Sequence, residues 1–170
     1  YVGSSNVQPI TVNNTCIYGA SRGGHVFELA YSWQASGFIT GDICLRAPHL
    51  FDTYEITDMA YSKAPYPIAW AVSTSGKLLG MTYVPEQQVG GWHQHVTDGV
   101  FESVAVVAEG KEDFVYCTVR REINGVSQRY VERMASRQFA DQTDCFFVDS
   151  GLSYNGTPAT TISGLDHLEG

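Results

Sequence analysis

The stretch IAWAVSTSGKLLGMTY, residues 68 to 83, carries two apolar runs around a short polar segment. Ser and Gly in that segment supply the local hydrogen bonds and the positive φ that a tight chain reversal needs. Alternate residues of a strand share a face, which groups Ile68, Trp70 and Val72 in the first run and Leu79, Met81 and Tyr83 in the second. The stretch therefore predicts a β-hairpin with apolar faces.

The same pattern occurs twice more in the chain. CIYGASRGGHVFELAY (16 to 31) repeats it at equal length, and FVYCTVRREINGVSQRYVERM (114 to 134) repeats it in a longer form. The longer copy reverses at Ile123-Asn124-Gly125, and Asn-Gly between alternating runs is a strong hairpin signal. The hairpins begin at 16, 68 and 114, so the sequence has an internal period of roughly 50 residues.

Each hairpin is flanked by further candidate strands. PITVN (9 to 13), ITDMAYS (56 to 62) and FESVAVVA (101 to 108) precede the three hairpins, and FITGDICL (38 to 45), GWHQHV (91 to 96) and CFFVDS (145 to 150) follow them. The prediction is an all-β chain in which an antiparallel four-stranded meander is repeated about three times. A meander with this period is typical of a β-propeller blade.

We therefore expect a β-propeller-like repeat domain over residues 1 to 150, with blades at about 9 to 45, 56 to 96 and 101 to 150. Three blades do not close a propeller, which needs ~4 to 8. The remaining blades would lie outside this stretch or in another chain, or the sheets form an open arc or a β-sandwich. Residues 151 to 170 change to a Ser, Thr and Gly-rich composition. They are interpreted as a linker into a following domain.

The charge balance argues against a nucleic-acid surface. The 170 residues carry a formal net charge of -8. The densest basic group, comprising Arg120, Arg121, Arg129, Arg133 and Arg137, is interrupted by Glu122 and Glu132. Binding to phosphates needs clustered, unopposed positive charge, so no specific nucleic-acid partner is expected. No apolar run approaches the ~18 residues that span a bilayer, so membrane insertion is not expected either.

The cysteines Cys16, Cys44, Cys117 and Cys145 form no C-x-x-C pair. This spacing disfavours zinc-ribbon and thioredoxin-like sites. Most of them fall in apolar runs, where a free cysteine acts as a small buried hydrophobe. A disulfide remains the alternative if the protein is secreted.

His93 and His95 are the candidate metal ligands. On a strand both side chains project to one face, and a third ligand from a neighbouring strand would complete a transition-metal site. Asp98 lies close in sequence, whereas His25, His49 and His167 are scattered. The corresponding strands of the other repeats carry no histidine pair. We therefore favour an outer strand with a polar face and with Trp92 turned to the core, and we expect no metal and no cofactor.

Carboxylates are the candidates for hydrolysis of sugars. Asp42, Asp58, Glu86, Glu102 and Asp113 lie in or beside the predicted strands. Glycosidases use two such groups across the scissile bond, and no spacing here identifies a pair. Motifs of serine hydrolases, phosphate-binding loops and zinc proteases are absent from the sequence. No catalytic residue is assigned, and the chain is not expected to be an enzyme.

Aromatic residues at predicted strand ends and turns offer a second type of site. These are Trp33, Tyr54, Tyr61 and Tyr66. Such side chains line carbohydrate or protein grooves, and they serve equally well in packing between blades. Both interpretations remain open at this point.

Residues 56 to 134 resemble a segment of large tail proteins of bacteriophages and prophages. The family pattern is an apolar W-x-V run, a D-or-S-G-x-L-L turn, L-T-Y-x-x-E-Q-x-V, W-H-x-H-x-T-D-G, a S-V-A-V run, R-x-I-N-G and Y-V-E-R, which this sequence matches in order. The closing SGLDHLEG resembles the connection to a further β domain, and residues 1 to 50 match only loosely. Met81 stands where the pattern has Leu, which conserves volume.

The resemblance implies a non-catalytic structural module of a phage tail, similar to the propeller-containing tail-tube or nozzle proteins of short-tailed phages. It further implies a virion location after synthesis in the bacterial cytoplasm. Other phage tail subunits are the implied partners, and the chain itself is expected to form a homo-oligomer in the virion. A cell-surface glycan is the further partner. The alternative function is a glycan-binding or glycan-hydrolysing domain of a phage tail.

Overall fold

All three predicted hairpins are present in the computed structural model, which describes residues 2–87 and 89–168. These residues form eleven β-strands and four short 3-10 helices, with no α-helix. Every strand pairs antiparallel to its neighbour in sequence within three sheets. The all-β class and the antiparallel meanders are thus confirmed.

Sheet 1 contains β1 (Ile10–Val12), β2 (Thr15–Gly19), β3 (Val26–Ser32) and β4 (Gly37–Asp42). Sheet 2 contains β5 (Ile56–Ser62), β6 (Ile68–Ser73), β7 (Leu78–Val84) and β8 (Val89–His95). Sheet 3 contains β9 (Val100–Glu109), β10 (Glu112–Ile123) and β11 (Val126–Arg133). The 3-10 helices are Pro48–Leu50, Pro85–Gln87, Gln142–Asp144 and Asp166–Leu168.

The turn residues act as their chemistry predicts. Asn124 and Gly125 have φ values of 52° and 75° between β10 and β11. Two successive positive values suit the right-handed twist of a hairpin, and Asn and Gly adopt them at low cost. Gly76, with φ at 80°, serves the β6–β7 turn, where the Ser73 hydroxyl accepts a hydrogen bond from the Ser75 amide at 3.2 Å.

Sheet 2 is buried on both faces and forms the middle layer. Every residue of β6 is buried. Ile68, Trp70 and Val72 pack toward sheet 3, in one core, and Ala69 and Ala71 pack toward sheet 1, in the other. Leu79, Met81 and Tyr83 of β7 join the core with sheet 1. The two predicted same-face groups are confirmed, and they lie on opposite sides of the sheet.

Polar contacts tie the layers together. The Trp92 indole donates to the Ile43 carbonyl at 2.9 Å, and the Tyr83 hydroxyl donates to the Glu28 carboxylate; both join sheets 1 and 2. The Val104 amide donates to the Asp58 carboxylate at 2.9 Å and joins sheets 2 and 3.

The predicted fourth strand of the third repeat is wrong. Residues 145 to 150 form no strand, so sheet 3 has three strands within the described chain. After β11 the chain leaves the sheet edge, because Met134 packs into the core between sheets 2 and 3. It then crosses toward β8, where the Asp149 carboxylate accepts from the Thr97 hydroxyl at 3.0 Å and the Asp98 amide at 3.1 Å. Residues 151 to 168 contain no strand, and their role as a linker stays a prediction.

Candidate functional site

His93 and His95 lie on one face of β8, as predicted, with ring centroids 5.1 Å apart. Both rings pack against Trp70, at centroid distances of 5.9 Å and 5.5 Å. Trp92 faces the opposite side and meets Phe51 at 4.8 Å. The expected packing of Trp92 against the core is confirmed. The expectation of a solvent-facing polar surface was wrong for the two histidines, which are half-buried against Trp70.

Burial sets the protonation of the pair. Desolvation lowers the pKa of His93 and of His95, and the Arg137 guanidinium lowers both further. Both imidazoles are therefore neutral near neutral pH. The described residues contain no cluster of three or more potential metal ligands, and a neighbouring guanidinium opposes a bound cation. His49 lies on an exposed 3-10 helix, and the His167 side chain falls outside the described residues.

The carboxylates proposed for hydrolysis are dispersed, and each one serves a structural contact. Asp113 accepts from the Lys63 and Ala64 amides at 2.6 Å and 2.9 Å. Glu102 pairs with Arg120 and Arg129, and Asp58 holds the β9 amide described above. Asp42 bonds His25, and the Glu86 side chain falls outside the described residues. Each of Asp42, Asp58, Glu102 and Asp113 is thus held by a basic side chain or by backbone amides.

A cavity of about 930 Å³ separates the outer strands of sheets 2 and 3. Leu78 and His95 line it from sheet 2, Tyr130 lines it from β11, and the segment 134 to 152 covers it. Arg137 projects from that segment, with its guanidinium carbon 5.9 Å from the Trp70 ring and 6.0 Å from the Tyr66 ring. No local sequence pattern indicates this site, because the contact between the segment and the sheet is long-range and Ser-Arg-Gln has the composition of a surface loop.

Two nitrogens at this cavity lack a partner. His95 Nε2 and Arg137 Nη1 are buried and make no hydrogen bond within the described residues. A buried polar group without a partner costs about 1–3 kcal/mol, and more when it is charged. Such groups in a cavity are a common mark of a binding site.

The outer face of sheet 1 is mostly apolar, with Thr11, Thr40 and Asp42 as polar members. Register places Cys16, Tyr18, Phe27, Leu29, Tyr31 and Phe38 on this side, away from the core with sheet 2. Tyr31 packs edge-on against both Trp33 and Phe38, at 5.1 Å and 5.5 Å. Trp33 is 85% exposed and Phe38 73% exposed. We call this surface the aromatic face.

The outer face of sheet 3 is charged instead. Glu102 binds Arg129 at 2.6 Å, and Glu109 binds Arg133 at 2.9 Å. The Arg133 guanidinium lies 3.5 Å above the Phe114 ring. The basic residues of β10 and β11 are thus largely neutralised by neighbouring acids.

All four cysteines are free thiols. Burial raises the pKa of Cys44 and of Cys117 to about 12, so both stay protonated at neutral pH. Cys44 Sγ also accepts a hydrogen bond from the Val26 amide at 3.1 Å. The interpretation of the cysteines in CIYGA, VYCTV and DCFFV as buried hydrophobes is confirmed for Cys117, whereas Cys16 and Cys145 are only half-buried.

His25 bridges two carboxylates at the start of β3. Its Nδ1 lies 2.7 Å from Asp42, and its Nε2 lies 3.0 Å from Asp52. The hydrogen bonds to Asp52 and Asp42 raise the pKa of His25 above its ordinary value. The charged imidazolium donates to both carboxylates, which ties β4 to the loop that follows it.

We expect this bridge to make stability depend on pH. Because the folded pKa is the higher one, the contribution is complete below the unfolded pKa of ~6.5 and is lost as pH rises through the folded value. His25→Gln should therefore destabilise the protein more at about pH 6 than at about pH 8.5. Urea unfolding of both proteins at the two pH values measures this. An equal loss at both would contradict the bridge, and the titration of His93 and His95 cancels in the difference.

No protein-family model matches the chain, and no curated protein matches it. No helix among the described residues is long and apolar enough to cross a membrane. Function therefore has to be inferred from the sheets, the cavity and the two outer faces.

Proposed function

We propose that the chain is a non-catalytic structural module of a phage tail protein, which docks onto neighbouring tail subunits through the aromatic face. The observation that carries this is an uncovered sheet surface with the composition of an interface. Aromatic residues at the centre of a surface patch are the usual anchors of protein interfaces. Large exposed apolar patches are rare on soluble monomers and mark interaction sites.

The stacking of the sheets supports a blade-like arrangement. β5, the first strand of sheet 2, contacts both β1 and β9, the first strands of its neighbours. Successive sheets whose first strands lie together are arranged as propeller blades are. The proposal is an open arc of three blades, and the aromatic face is where a further sheet would pack.

The residues shared with phage tail proteins have structural roles, which supports a structural job. Trp92 links sheets 1 and 2, and Thr97 and Asp98 hold the segment after β11. Asn124 and Gly125 form a hairpin turn. Glu132 binds the buried Arg121 at 2.6 Å. In this proposal the protein belongs to the virion, is made in the bacterial cytoplasm, and assembles with copies of itself and with other tail subunits.

The aromatic face predicts self-association of the isolated chain. We expect sedimentation velocity between about 10 µM and about 300 µM to show species larger than the monomer. Phe38→Ser should shift the apparent dissociation constant by about tenfold or more, because it removes one of the most exposed aromatic side chains of this face. Val131→Ser is the matched control, since Val131 is 76% exposed on β11, outside the aromatic face.

A protein that stays monomeric over this range, or that associates equally well with Phe38→Ser, would contradict docking through the aromatic face. An effect of Val131→Ser as large as that of Phe38→Ser would place the contact elsewhere.

Glycan binding is the second candidate, and the exposure of Trp33 favours it. The exposed indole, which packs edge-on against Tyr31, offers a ring surface on which the apolar face of a sugar can stack. Binding to a carbohydrate array that is lost in Trp33→Ala, with association unchanged, would favour this candidate over subunit docking.

A further inference from the structure

Arg137 is a half-buried cation without an ion pair. It forms no hydrogen bond or salt bridge within residues 2–87 and 89–168. Its side chain lines the cavity, and its guanidinium carbon lies 5.9 Å from the centroid of the Trp70 ring. A guanidinium removed from water loses hydration that only a hydrogen-bonded anion restores fully. Its aromatic neighbours restore only part of this.

The acids nearest to Arg137 are engaged elsewhere. The Ser136 hydroxyl lies 2.7 Å and 2.9 Å from the two Glu112 carboxylate oxygens. Asp113 accepts the two backbone amides of residues 63 and 64. Both carboxylates act on Arg137 through longer-range attraction, and neither makes the short contact that would neutralise it.

The other charged residues around the cavity are paired. Arg121 binds Glu132 through two nitrogens, at 2.6 Å and 2.9 Å, and lies 3.8 Å from Asp149. Arg133 binds Glu109 at 2.9 Å. Among the described residues that line the cavity, Arg137 is therefore left as the single unpaired positive charge, beside the neutral ring of His95.

The rest of the lining is largely hydrocarbon. It includes Leu78, Val96, Phe101, Met134, Phe139 and Phe146. A volume of about 930 Å³ lies within the ~300–1,000 Å³ typical of small-molecule sites. An apolar body with one anionic end matches both the lining and the charge.

We propose that this cavity binds an apolar carboxylate, with its hydrocarbon body among the aromatic and aliphatic side chains and its head group on Arg137. His95 Nε2 is the second donor to the head group. Both nitrogens are shielded from water in this structure, so their side chains turn slightly to meet the ligand. The site lies away from the aromatic face, so this proposal does not depend on subunit docking.

Titration calorimetry of the whole chain with decanoate at about pH 8 tests this, since the carboxylate is then ionised and His93 and His95 are neutral. We expect saturable binding. Decan-1-ol, which has the same chain without the charge, should bind about tenfold more weakly or worse. Arg137→Met keeps the aliphatic part of the side chain. It should weaken the binding of decanoate by about tenfold or more and leave the binding of decanol unchanged. Arg22→Met, at an exposed turn of sheet 1, is the matched control and should change neither.

A second pair of variants protects the test if Arg137→Met folds poorly. Leu152 lines the cavity and is 63% exposed, so its replacement spares the core. Leu152→Glu should weaken the binding of decanoate more than Leu152→Gln does, because the added carboxylate repels the carboxylate of the ligand. The binding of decanol should change equally in both variants. Absence of saturable decanoate binding would overturn the proposal. So would equal affinity for decanol, or equal affinity for decanoate in the two Leu152 variants.

Discussion

Replacing Trp70 by alanine is expected to lower the free energy of unfolding by about 4 kcal/mol. Trp70 is 1% exposed and stands in the middle sheet, facing sheet 3. Its indole donates to the Ser62 hydroxyl at 3.0 Å, and Ser62 is fully buried. The substitution therefore opens a cavity and removes a hydrogen bond from a buried hydroxyl, two losses that add.

Equilibrium unfolding in urea measures this effect, and Trp33→Ala is its matched control. The same chemical change at a side chain that is 85% exposed should cost less than about 0.5 kcal/mol. A Trp70→Ala protein within about 1 kcal/mol of the unmodified chain would show that sheets 2 and 3 do not share the core described above.

Gly24→Ala is expected to destabilise the fold by about 4 kcal/mol. Gly24 has a φ of +70°, which an alanine adopts only with strain. A Cβ at this position would lie 1.8 Å from the Tyr54 carbonyl oxygen and 2.7 Å from that of Phe51. Both are backbone atoms, so the loop that follows sheet 1 has to move away from the β2–β3 turn.

The neighbouring glycine separates the two causes. Gly23 has a φ of +84°, but a Cβ there meets nothing within 4 Å. Gly23→Ala should therefore cost only the backbone strain, about 1 kcal/mol. Thermal and urea unfolding of both variants measure the difference, and equal losses would mean that the close approach of residues 51 to 54 is absent in solution.

Local chemistry explains why the hairpins were predictable. Asn124-Gly125 and Ser75-Gly76 specify their turns within a few residues, and alternation of apolar residues specifies the faces on either side. For the same reason, the strand predicted at 56 to 62 coincides with β5, and the strand predicted at 101 to 108 lies within β9.

Long-range contacts explain what the sequence could not reveal. CFFVDS has the composition of a strand, yet it forms none. Met134 packs into the core and Asp149 accepts a hydrogen bond from Thr97, and these two contacts direct this part of the chain across the cavity. The alternation of side chains along a strand predicts that His93 and His95 share a face. It does not indicate whether another part of the chain covers that face. Arg137 is the clearest case, because its surroundings come from strands far away in the sequence.

The contrast between the two outer faces limits how copies of this chain can assemble. The outer face of sheet 1 carries aromatic side chains, and the outer face of sheet 3 carries paired charges. The two surfaces therefore do not complement each other. In the proposed docking of two isolated chains, contact through the aromatic face is isologous, between equal surfaces related by a twofold axis. Growth through that contact would stop at two copies, so the proposal predicts a dimer of the isolated chain and no filament.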